Sequence, residues 1–479
     1  MINPAQLAYM LHLTSAEETR QRNIVLSRDY YEGDHHVPLT VRQRQYLGFA
    51  ADQKFAVNYC RMIVATIAER LHVLGFDGDN ALTEFAEAEW VRARLQAHAN
   101  RLHRYILTDG CGYVITDLHN GAPRYTVQRA YTDAELGGTG EGCKAHYVND
   151  DVYSELEYVS KRWTETYYEG GMRHTRRRLT IYAPDSVEKY ALAGSSEATW
   201  KPYRDKGDAS WPLPWVDRNG EPLGIAATPF QNVDGQSELT TEILALNDAL
   251  NKVWLDILAA ADRAGYGIYI GRGVWPTTDG SPPNAENSNV VRIAPGVWIG
   301  VKDPASTVEM LNASDLSQLL NVKDSLEYEM AQVSGIPVTR LQVSRQVAAE
   351  GTLKQQEAGL VAKVKDRHVL YGDGWENVMR LGARLDQSYG SRRERARPDD
   401  VIETQWDSAE MRDEDAMIER ASKMVERLKI PYEVAWKYVG FSDEEIERMK
   451  TMEPYASMIA GQLAMAQAAL WLDEGNRGS

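Results

Sequence analysis

The chain has 479 residues, 43% of them hydrophobic and 25% charged, which is the balance of an ordinary globular protein of about three domains. A formal net charge of −16 argues against a protein that grips nucleic acid tightly, because such proteins usually present basic surfaces. The three cysteines lack the spacing of a zinc site or a disulfide framework, and neither an export signal nor a membrane-spanning run is found.

The N-terminal part of the chain mixes helices with antiparallel strands. Apolar spacing predicts helices within residues 1–32, 58–71 and 81–106. Alternation of apolar and polar residues then predicts six strands between residues 112 and 192, with one solvent-exposed face. Gly170-Gly171 is suited to a tight turn between two of them.

Two amphipathic helices follow. The first is predicted over residues 237–261, and at ~1.5 Å per residue it is about 37 Å long. The second is predicted over residues 313–333, and its apolar row is interrupted by Lys323. The apolar stripes comprise Leu239, Ile243, Leu246, Leu250, Trp254, Ile257 and Leu258 in the first helix and Leu316, Leu319, Leu326, Met330 and Val333 in the second.

The segment between these helices is rich in turn-forming Gly and Pro and holds two β-like runs, at residues 267–270 and 290–299. The chain is polar from residue 338 to residue 351. A third helix is then predicted over residues 352–389, broken at Gly372-Asp373-Gly374. From residue 408 onward the pattern is helical, and Ser442 with Glu445 matches a capping box.

No catalytic or metal-binding constellation is predicted. The P-loop pattern of two glycines followed by Lys and Ser or Thr is missing, which argues against an ATP-driven motor. His35 and His36 lack a third ligand at metal-site spacing, so no metal and no cofactor is assigned. The basic run from Arg173 to Arg178 either binds phosphate or nucleic acid or, as is commoner, forms the solvated face of a hairpin.

The order of these elements resembles that of the portal proteins of tailed bacteriophages, of the siphovirus type. The shared order is a helix, a β segment, a helix ending in Gly-x-Pro, a loop, and Gly351-Thr352-Leu353-Lys354 opening a long helix. The resemblance extends to YYEGDH at residues 30–35 and to ATIAERLHVLGF at residues 65–76. Near the C-terminus it includes Ile430-Pro431 and Gly440-Phe441-Ser442.

The resemblance implies an α+β portal fold with an α/β wing, a two-helix stem, a small β clip, a long kinked wing helix and an all-α crown. The implied boundaries are 1–233 for the N-terminal wing, 234–263 for the first stem helix, 264–312 for the clip, 313–337 for the second stem helix, 338–351 for the tunnel loop, 352–407 for the long wing helix and its return, and 408–479 for the crown.

The resemblance also implies a structural subunit without enzymatic activity. Twelve copies would form a ring at one capsid vertex of the virion, assembled in the bacterial cytoplasm, through which double-stranded DNA is packaged and ejected. The clip would dock the terminase large subunit and later head-completion or adaptor proteins. The wing would meet the major capsid and scaffolding proteins, and no membrane would be involved. The implied DNA contacts in the tunnel loop are Arg340, Gln342, Ser344, Arg345 and Gln346.

The acidic charge is compatible with DNA as a moving cargo. Duplex DNA carries one charge per ~1.7 Å, so about 37 Å of channel faces roughly twenty phosphates, which a basic lining would hold in place. Two alternatives stay open. One is another ring-forming head-tail adaptor, against which the two stem-like helices argue. The other is an acidic hydrolase with paired carboxylates, in which mutating a specific Asp or Glu would abolish turnover.

Overall fold

The fold is known from a computed structural model of the whole chain. It describes residues 14–35, 56–78, 80–148, 154–192, 200–265, 268–272, 307–311, 316–342, 350–390, 396–410, 414–441 and 443–450. The chain divides into two compact units, Met1–Ala409 and Glu410–Ser479. Among the described residues, helices and sheets both contribute to the first unit, which confirms the α+β class. None of the helices that the structure describes, in either unit, is long and apolar enough to cross a bilayer.

Among the described residues, the first unit begins with four helices. They are α1 (Ser15–Glu32), α2 (Tyr59–Ala68), α3 (Ala81–Arg92) and α4 (Leu95–Asp109). The single helix expected over residues 81–106 is therefore wrong. Arg94 lies between α3 and α4 with a left-handed φ of 52°, which no continuous helix contains. The turn allows Trp90 and Leu95, on either side of it, both to be buried.

All six predicted strands are present and belong to two antiparallel sheets. The sheets consist of β2 (Cys111–His119), β3 (Ala122–Arg129), β4 (Gly142–Tyr147), β5 (Leu156–Glu169), β6 (Met172–Tyr182), β7 (Ser186–Leu192), β8 (Trp200–Pro202), β9 (Leu213–Pro214) and β10 (Ala227–Gln231). The smaller sheet has the order β10-β2-β3. The larger has the order β4-β5-β6-β7-β8, with β9 also paired to β7.

A third, two-stranded sheet joins distant parts of the chain. Its strands are β1 (Val73–Asp77) and β13 (Glu403–Trp406), which run antiparallel. The first of these strands lies at the end of the segment 65–76 that carries part of the family resemblance, and the second was not predicted. Four residues of mixed exposure are too few for a period-two pattern to stand out.

The central helices α5 (Thr241–Gly265) and α6 (Leu316–Ser334) pack against each other, which confirms the two predicted amphipathic helices. Between them, β11 (Ile268–Arg272) pairs with β12 (Thr307–Leu311). The predicted run at 267–270 overlaps β11, and the partner strand β12 was not predicted. The predicted run at 290–299 lies outside the described residues.

The long helix α7 (Glu350–Tyr389) covers 40 residues without interruption, so the predicted break at Gly372-Asp373-Gly374 is wrong. Gly374 serves packing rather than bending. A Cβ at Gly374 would lie 2.4 Å from Cε1 of Phe230, whose ring is only 1% exposed. Phe230 also packs edge-on against Trp375 of α7, with ring centroids 5.1 Å apart. The missing side chain at 374 therefore lets β10 approach α7 closely.

His103 of α4 connects three elements inside the core. Its Nδ1–H donates to the Leu71 carbonyl at 3.0 Å, and its Nε2 accepts from the Trp375 indole at 3.1 Å. Burial lowers the pKa of His103 to about 3, although the bond to Leu71 acts in the opposite direction. The ring is therefore neutral near pH 7, as its one-donor, one-acceptor arrangement requires.

The described elements of the second unit are all helical, as predicted. They are α8 (Glu414–Leu428), α9 (Tyr432–Val439) and α10 (Asp443–Lys450). Helix α9 ends at Gly440, which has a φ of 109° and whose N–H bonds to the Trp436 and Lys437 carbonyls. Ser442 lies outside the described residues, so the capping box stays a prediction.

Gly372 and Gly374 of α7 offer a test of the packing argument. Gly374→Ala places a methyl group against an immobile ring and should destabilise the protein by about 1–3 kcal/mol. At Gly372 the nearest atom to a new Cβ is 3.5 Å away, so Gly372→Ala should be neutral or stabilise by up to about 1 kcal/mol through helix propensity. Urea unfolding of both variants decides this. Equal effects at both positions would contradict a packing role for Gly374.

Candidate functional site

The candidate site comprises the paired helices α5 and α6 and the segment that follows α6. Ten of the twelve apolar residues that the sequence assigns to the two stripes are at least partly buried, whereas Leu258 and Val333 are 40% and 46% exposed. The buried members are Leu239, Ile243, Leu250 and Met330, and the half-buried ones are Leu246, Trp254, Ile257, Leu316, Leu319 and Leu326. The contact between α5 and α6 therefore covers most of both stripes, and the role of these residues in a stem stays a prediction.

Large apolar residues nevertheless stay exposed on α6. The two that share one flank are Val322 and Val333, which are 48% and 46% exposed. They are eleven residues apart, about three helical turns, and lie beside the half-buried Leu319 and Leu326. The apolar surface of α6 is thus wider than α5 covers within one subunit.

Lys323, which interrupts the apolar row of α6, belongs to a buried polar cluster. Its Nζ lies 3.0 Å from Oε2 of Glu327, a side chain that is 2% exposed. The Tyr59 hydroxyl of α2 donates to Oε1 of the same carboxylate at 2.6 Å and accepts from the Trp254 indole of α5 at 3.2 Å. One carboxylate therefore fixes α2, α5 and α6 together.

The pKa values of this cluster reflect its burial and hydrogen bonds. Burial and the bond to Glu327 both raise the pKa of Tyr59, so the phenol keeps its proton and donates it to the carboxylate. Burial opposes the charge of Lys323, but hydrogen bonds to Asp324 and Glu327 outweigh it and raise the pKa of Lys323. The ammonium and the donating phenol are the forms that Glu327 needs near pH 7.

Two asparagines of α5, both fully buried, attach the helix to the chain before α2. The Asn251 carbonyl accepts from the Val57 backbone N–H at 2.6 Å, and its amide donates to the Val57 carbonyl at 3.3 Å. The Asn247 amide lies 3.1 Å from Nε2 of His35. Because Asn251 bonds both backbone groups of Val57, it fixes the position of Val57 along the helix.

The tyrosine-rich YYEGDH motif also contacts α5. Its Tyr30 hydroxyl donates to Oδ2 of Asp248 at 2.8 Å. The Tyr30 ring stacks on the His35 ring with centroids 4.1 Å apart. The residues that carry the sequence resemblance near the N-terminus therefore hold the central helix, a role that no local sequence pattern indicates.

A buried ion cluster holds Glu238, three residues before α5, against the long helix α7. The Glu238 carboxylate receives hydrogen bonds from Arg367, from Lys363 at 3.2 Å and from the Asn232 amide at 3.0 Å. Glu238 is 5% and Arg367 6% exposed. Burial works to raise the pKa of Glu238, but the charges of Lys363 and Arg367 outweigh it, and the pKa is lowered.

The segment after α6 begins with a 3₁₀ turn at Val338–Arg340. The Arg340 guanidinium lies 3.1 Å from the Glu69 carboxylate, in a pair that is largely exposed. The Gln342 amide donates to the Asp324 carbonyl of α6 at 2.8 Å. Ser344, Arg345 and Gln346 lie outside the described residues. The described start of this segment therefore rests on its own subunit.

No group of His, Cys, Asp and Glu side chains suited to a metal ion occurs among the described residues. His35, which the sequence marks as a weak metal candidate, is buried against Tyr30 and Asn247. Its surroundings are those of a packed core histidine.

Comparison with known proteins identifies the family. Residues 12–457 match the family described as "Phage portal protein, SPP1 Gp6-like". The chain belongs to this family. The resemblance stated from the sequence is thereby confirmed, and the chain is a portal subunit of the capsid. The family is a structural one rather than a family of enzymes.

Curated relatives agree in name and extent. The portal protein of Mycobacterium phage D29 is 23% identical over 478 residues, covering 94% of this chain and 89% of its own length. The portal protein of Mycobacterium phage L5 is 22% identical over 483 residues, with the same coverage of both chains. The family relationship thus extends over nearly the whole portal chain.

Solved structures that the portal chain resembles come from a gene transfer agent (GTA). One is the virion of the native GTA particle, with a TM-score of 0.39 and 12% identity over 87% of this chain and 99% of that chain. Another is the neck of the native GTA particle computed with C12 symmetry, with a TM-score of 0.37 and 12% identity over 80% and 89%. The family assignment rests on the sequence match.

The buried ion cluster before α5 makes a prediction with a defined pH dependence. Glu238→Gln leaves Arg367 without its counter-charge and should destabilise the portal chain by about 3–5 kcal/mol at pH 7. Because the pKa of Glu238 is lowered in the folded state, the stabilisation is present above the ordinary pKa of 4.5 and is lost as the pH falls below it.

Urea unfolding of the wild type and of the variant at pH 7 and near pH 4 measures the difference, which should shrink at the lower pH. Glu87→Gln, at an exposed carboxylate of α3, is the control and should change stability by less than about 0.5 kcal/mol. A Glu238 variant as stable as this control would show that the cluster does not hold α5 to α7.

Proposed function

We propose that this portal chain assembles into a closed ring of twelve subunits whose channel passes double-stranded DNA at one vertex of the capsid. The observation that carries the proposal is the flank of α6 formed by Val322 and Val333, which stays exposed after α5 and α6 have paired. A row of exposed apolar side chains on a rigid helix pair fits contact with the same helices of a second copy.

The charge of the stem fits a moving polyanion. Of the α5 and α6 side chains that the structure describes, the exposed carboxylates Glu242, Asp324 and Glu329 outnumber the exposed cation Lys252. In a ring these charges repeat in every subunit. A predominantly acidic stem avoids the tight phosphate contacts that would stall the duplex.

The same proposal assigns partners to the other parts of the chain, with the domain boundaries given above. The clip docks the terminase large subunit during packaging and head-completion or adaptor proteins afterwards. The wing meets the major capsid and scaffolding proteins. The ring forms in the bacterial cytoplasm and is kept in the virion. Family membership and the names of the mycobacteriophage relatives support these assignments.

The exposed flank of α6 is tested by polar substitution. Val322→Gln with Val333→Gln should shift the protein from a ring to smaller species, because two apolar contacts are lost at every subunit boundary. Native mass spectrometry and sedimentation velocity measure the outcome.

Val91→Gln with Val369→Gln provides the matched control, since these helical valines are 78% and 67% exposed and lie outside the stem. A wild type that stays monomeric at micromolar concentration would refute the ring. An intact ring in the stem variant would place the subunit contact elsewhere.

We further propose that the tunnel loop at 338–351 touches the passing DNA weakly. Arg340 is exposed, and the carboxylate that it pairs with among the described residues is Glu69, in a surface ion pair that is worth about 0–1 kcal/mol and can be exchanged for a phosphate. Gln342 anchors the start of the loop to α6. Each phosphate contact contributes nearly one unit of salt slope, and a ring multiplies it by the number of subunits.

Arg340→Ala with Arg345→Ala should leave the ring intact but reduce the length of DNA packaged or its retention. Gln346→Lys, which adds one cation per subunit, should instead slow translocation, because a positive collar holds the phosphates. Packaging of a defined DNA in a reconstituted system measures both effects, with ring assembly checked in parallel. Normal packaging by both variants would show that the loop takes no part in DNA movement.

A further inference from the structure

Strands β5 and β6 project beyond the sheet to which they belong. Pairing between β4 and β5 stops at Arg162, and pairing between β6 and β7 stops at Arg178. Among the residues that the structure describes, 164–169 and 172–177 form strand pairs only with each other, around the turn at Gly170-Gly171, and the Thr164 N–H at their base also donates to the Glu141 carboxylate. These residues form a free two-stranded ribbon about 20 Å long at ~3.4 Å per residue. We call residues 164–177 the ribbon.

On one face of the ribbon, side chains of the two strands contact each other. Glu165 binds the guanidinium groups of Arg176 and Arg178, the second at 2.7 Å. Arg176 also lies 4.5 Å above the Tyr167 ring, on which His174 stacks. These contacts run across the two strands, so they stiffen the ribbon.

The base of the ribbon is anchored in the protein. The Arg178 side chain is 2% exposed and its guanidinium lies 3.9 Å above the Tyr203 ring. The same guanidinium donates to the Asp205 carboxylate at 3.1 Å. A buried arginine held by two carboxylates and an aromatic ring fixes the direction in which the ribbon projects.

The opposite face of the ribbon is exposed and entirely without acidic or aliphatic residues. Its side chains share one side of the pleat and are Thr164, Thr166, Tyr168, Arg173, Thr175 and Arg177. Tyr168 is 75% exposed. Within the described residues, neither Arg173 nor Arg177 takes part in an ion pair. A chain with a net charge of −16 thus carries a locally positive, hydroxyl-rich face on a rigid projection.

The chemistry of this face suits a polyanion better than a protein surface. A protein interface needs an apolar core, and no aliphatic side chain is present here. Arginine, threonine and tyrosine are the side chains that contact DNA phosphates. The shape agrees as well, because the major groove of B-DNA is about 12 Å wide and admits a two-stranded β-ribbon. Arg173 and Arg177 are four residues apart on one strand, about 14 Å, which is close to that width.

We infer that this face of the ribbon binds the phosphate backbone of duplex DNA outside the channel. The contacts are made to phosphates, so binding is independent of sequence and weakens with salt. The surface would hold DNA against the body of the portal chain rather than along its stem. This binding site is separate from the tunnel loop and does not depend on how many subunits form the ring.

Covalently closed circular DNA provides the test, because it cannot thread through a closed ring and so reports only on outer surfaces. Binding of the full-length protein is measured by gel shift or filter retention over a series of NaCl concentrations. Arg173→Gln with Arg177→Gln should weaken binding at low salt and lower the slope of log affinity against log salt by roughly 1.8 for each ribbon in contact with the duplex, at about 0.9 for each lost phosphate contact. Arg173→Lys with Arg177→Lys should keep most of that slope.

Arg104→Gln with Arg218→Gln is the matched control. Both arginines are exposed and lie away from the ribbon, so the variant loses the same charge. The inference is overturned if the ribbon variant binds circular DNA as the wild type does, or if the control loses as much. A ribbon variant that loses self-association while DNA binding persists would assign the face to a protein partner. Sedimentation of each variant reports ring formation separately, so a failed ring and a failed DNA contact are distinguishable.

Discussion

The buried carboxylate of Glu238 is the constraint on which the arrangement of the central helices depends. It precedes α5, and it is bonded by Arg367 and Lys363 of α7 and by Asn232, which follows β10. Removing these charges from water costs several kcal/mol each, so the cluster is stable only with all of its hydrogen bonds made. Because hydrogen bonds are directional, the need to make all of them permits one position of α5 on α7. A purely apolar contact is non-directional and would permit several positions.

The same logic applies along the helix pair. The Glu327 carboxylate of α6 accepts a hydrogen bond from Tyr59 of α2 and pairs with Lys323 of its own helix. Asn251 of α5 bonds both backbone groups of Val57. A polar group at an otherwise apolar seam fixes the register, because any shift would leave it without a partner. The helices are thereby held at a fixed height within each subunit. An apolar flank with Val322 and Val333 then remains available on the outside of α6.

Charge is distributed unevenly over the described surface. A net charge of −16 and exposed carboxylates on the helix pair fit the proposed passage of a mobile duplex, because they oppose tight capture of its phosphates. The ribbon of β5 and β6 is an exception, where Glu165 neutralises only one face and leaves Arg173 and Arg177 exposed on the other. Segregating the carboxylate to one face of a pleated ribbon makes a basic surface without changing the overall acidity.

The sequence by itself determined the elements that depend on local periodicity. The stripes of α5 and α6 and the six strands of the two larger sheets follow from spacing, since a helix or strand imposes its period on whichever residues it buries. The order of elements also pointed to the portal family before any contact was known. The sequence could not assign a role to Lys323. Its ammonium pairs with Glu327, which also accepts from Tyr59, and only the folded chain brings these groups together.

Tertiary structure alone decided the long-range pairings of strands and the reason for a glycine at position 374 of α7. The pairing of β1 with β13 joins segments more than three hundred residues apart, and nothing local to either strand encodes its partner. Gly374 looked like a helix breaker, yet it lies in an unbroken helix because Phe230 occupies the space of its side chain. The backbone freedom of glycine can be read from the sequence. The space that Phe230 takes beside Gly374 can be read only from the fold, which brings the two residues together.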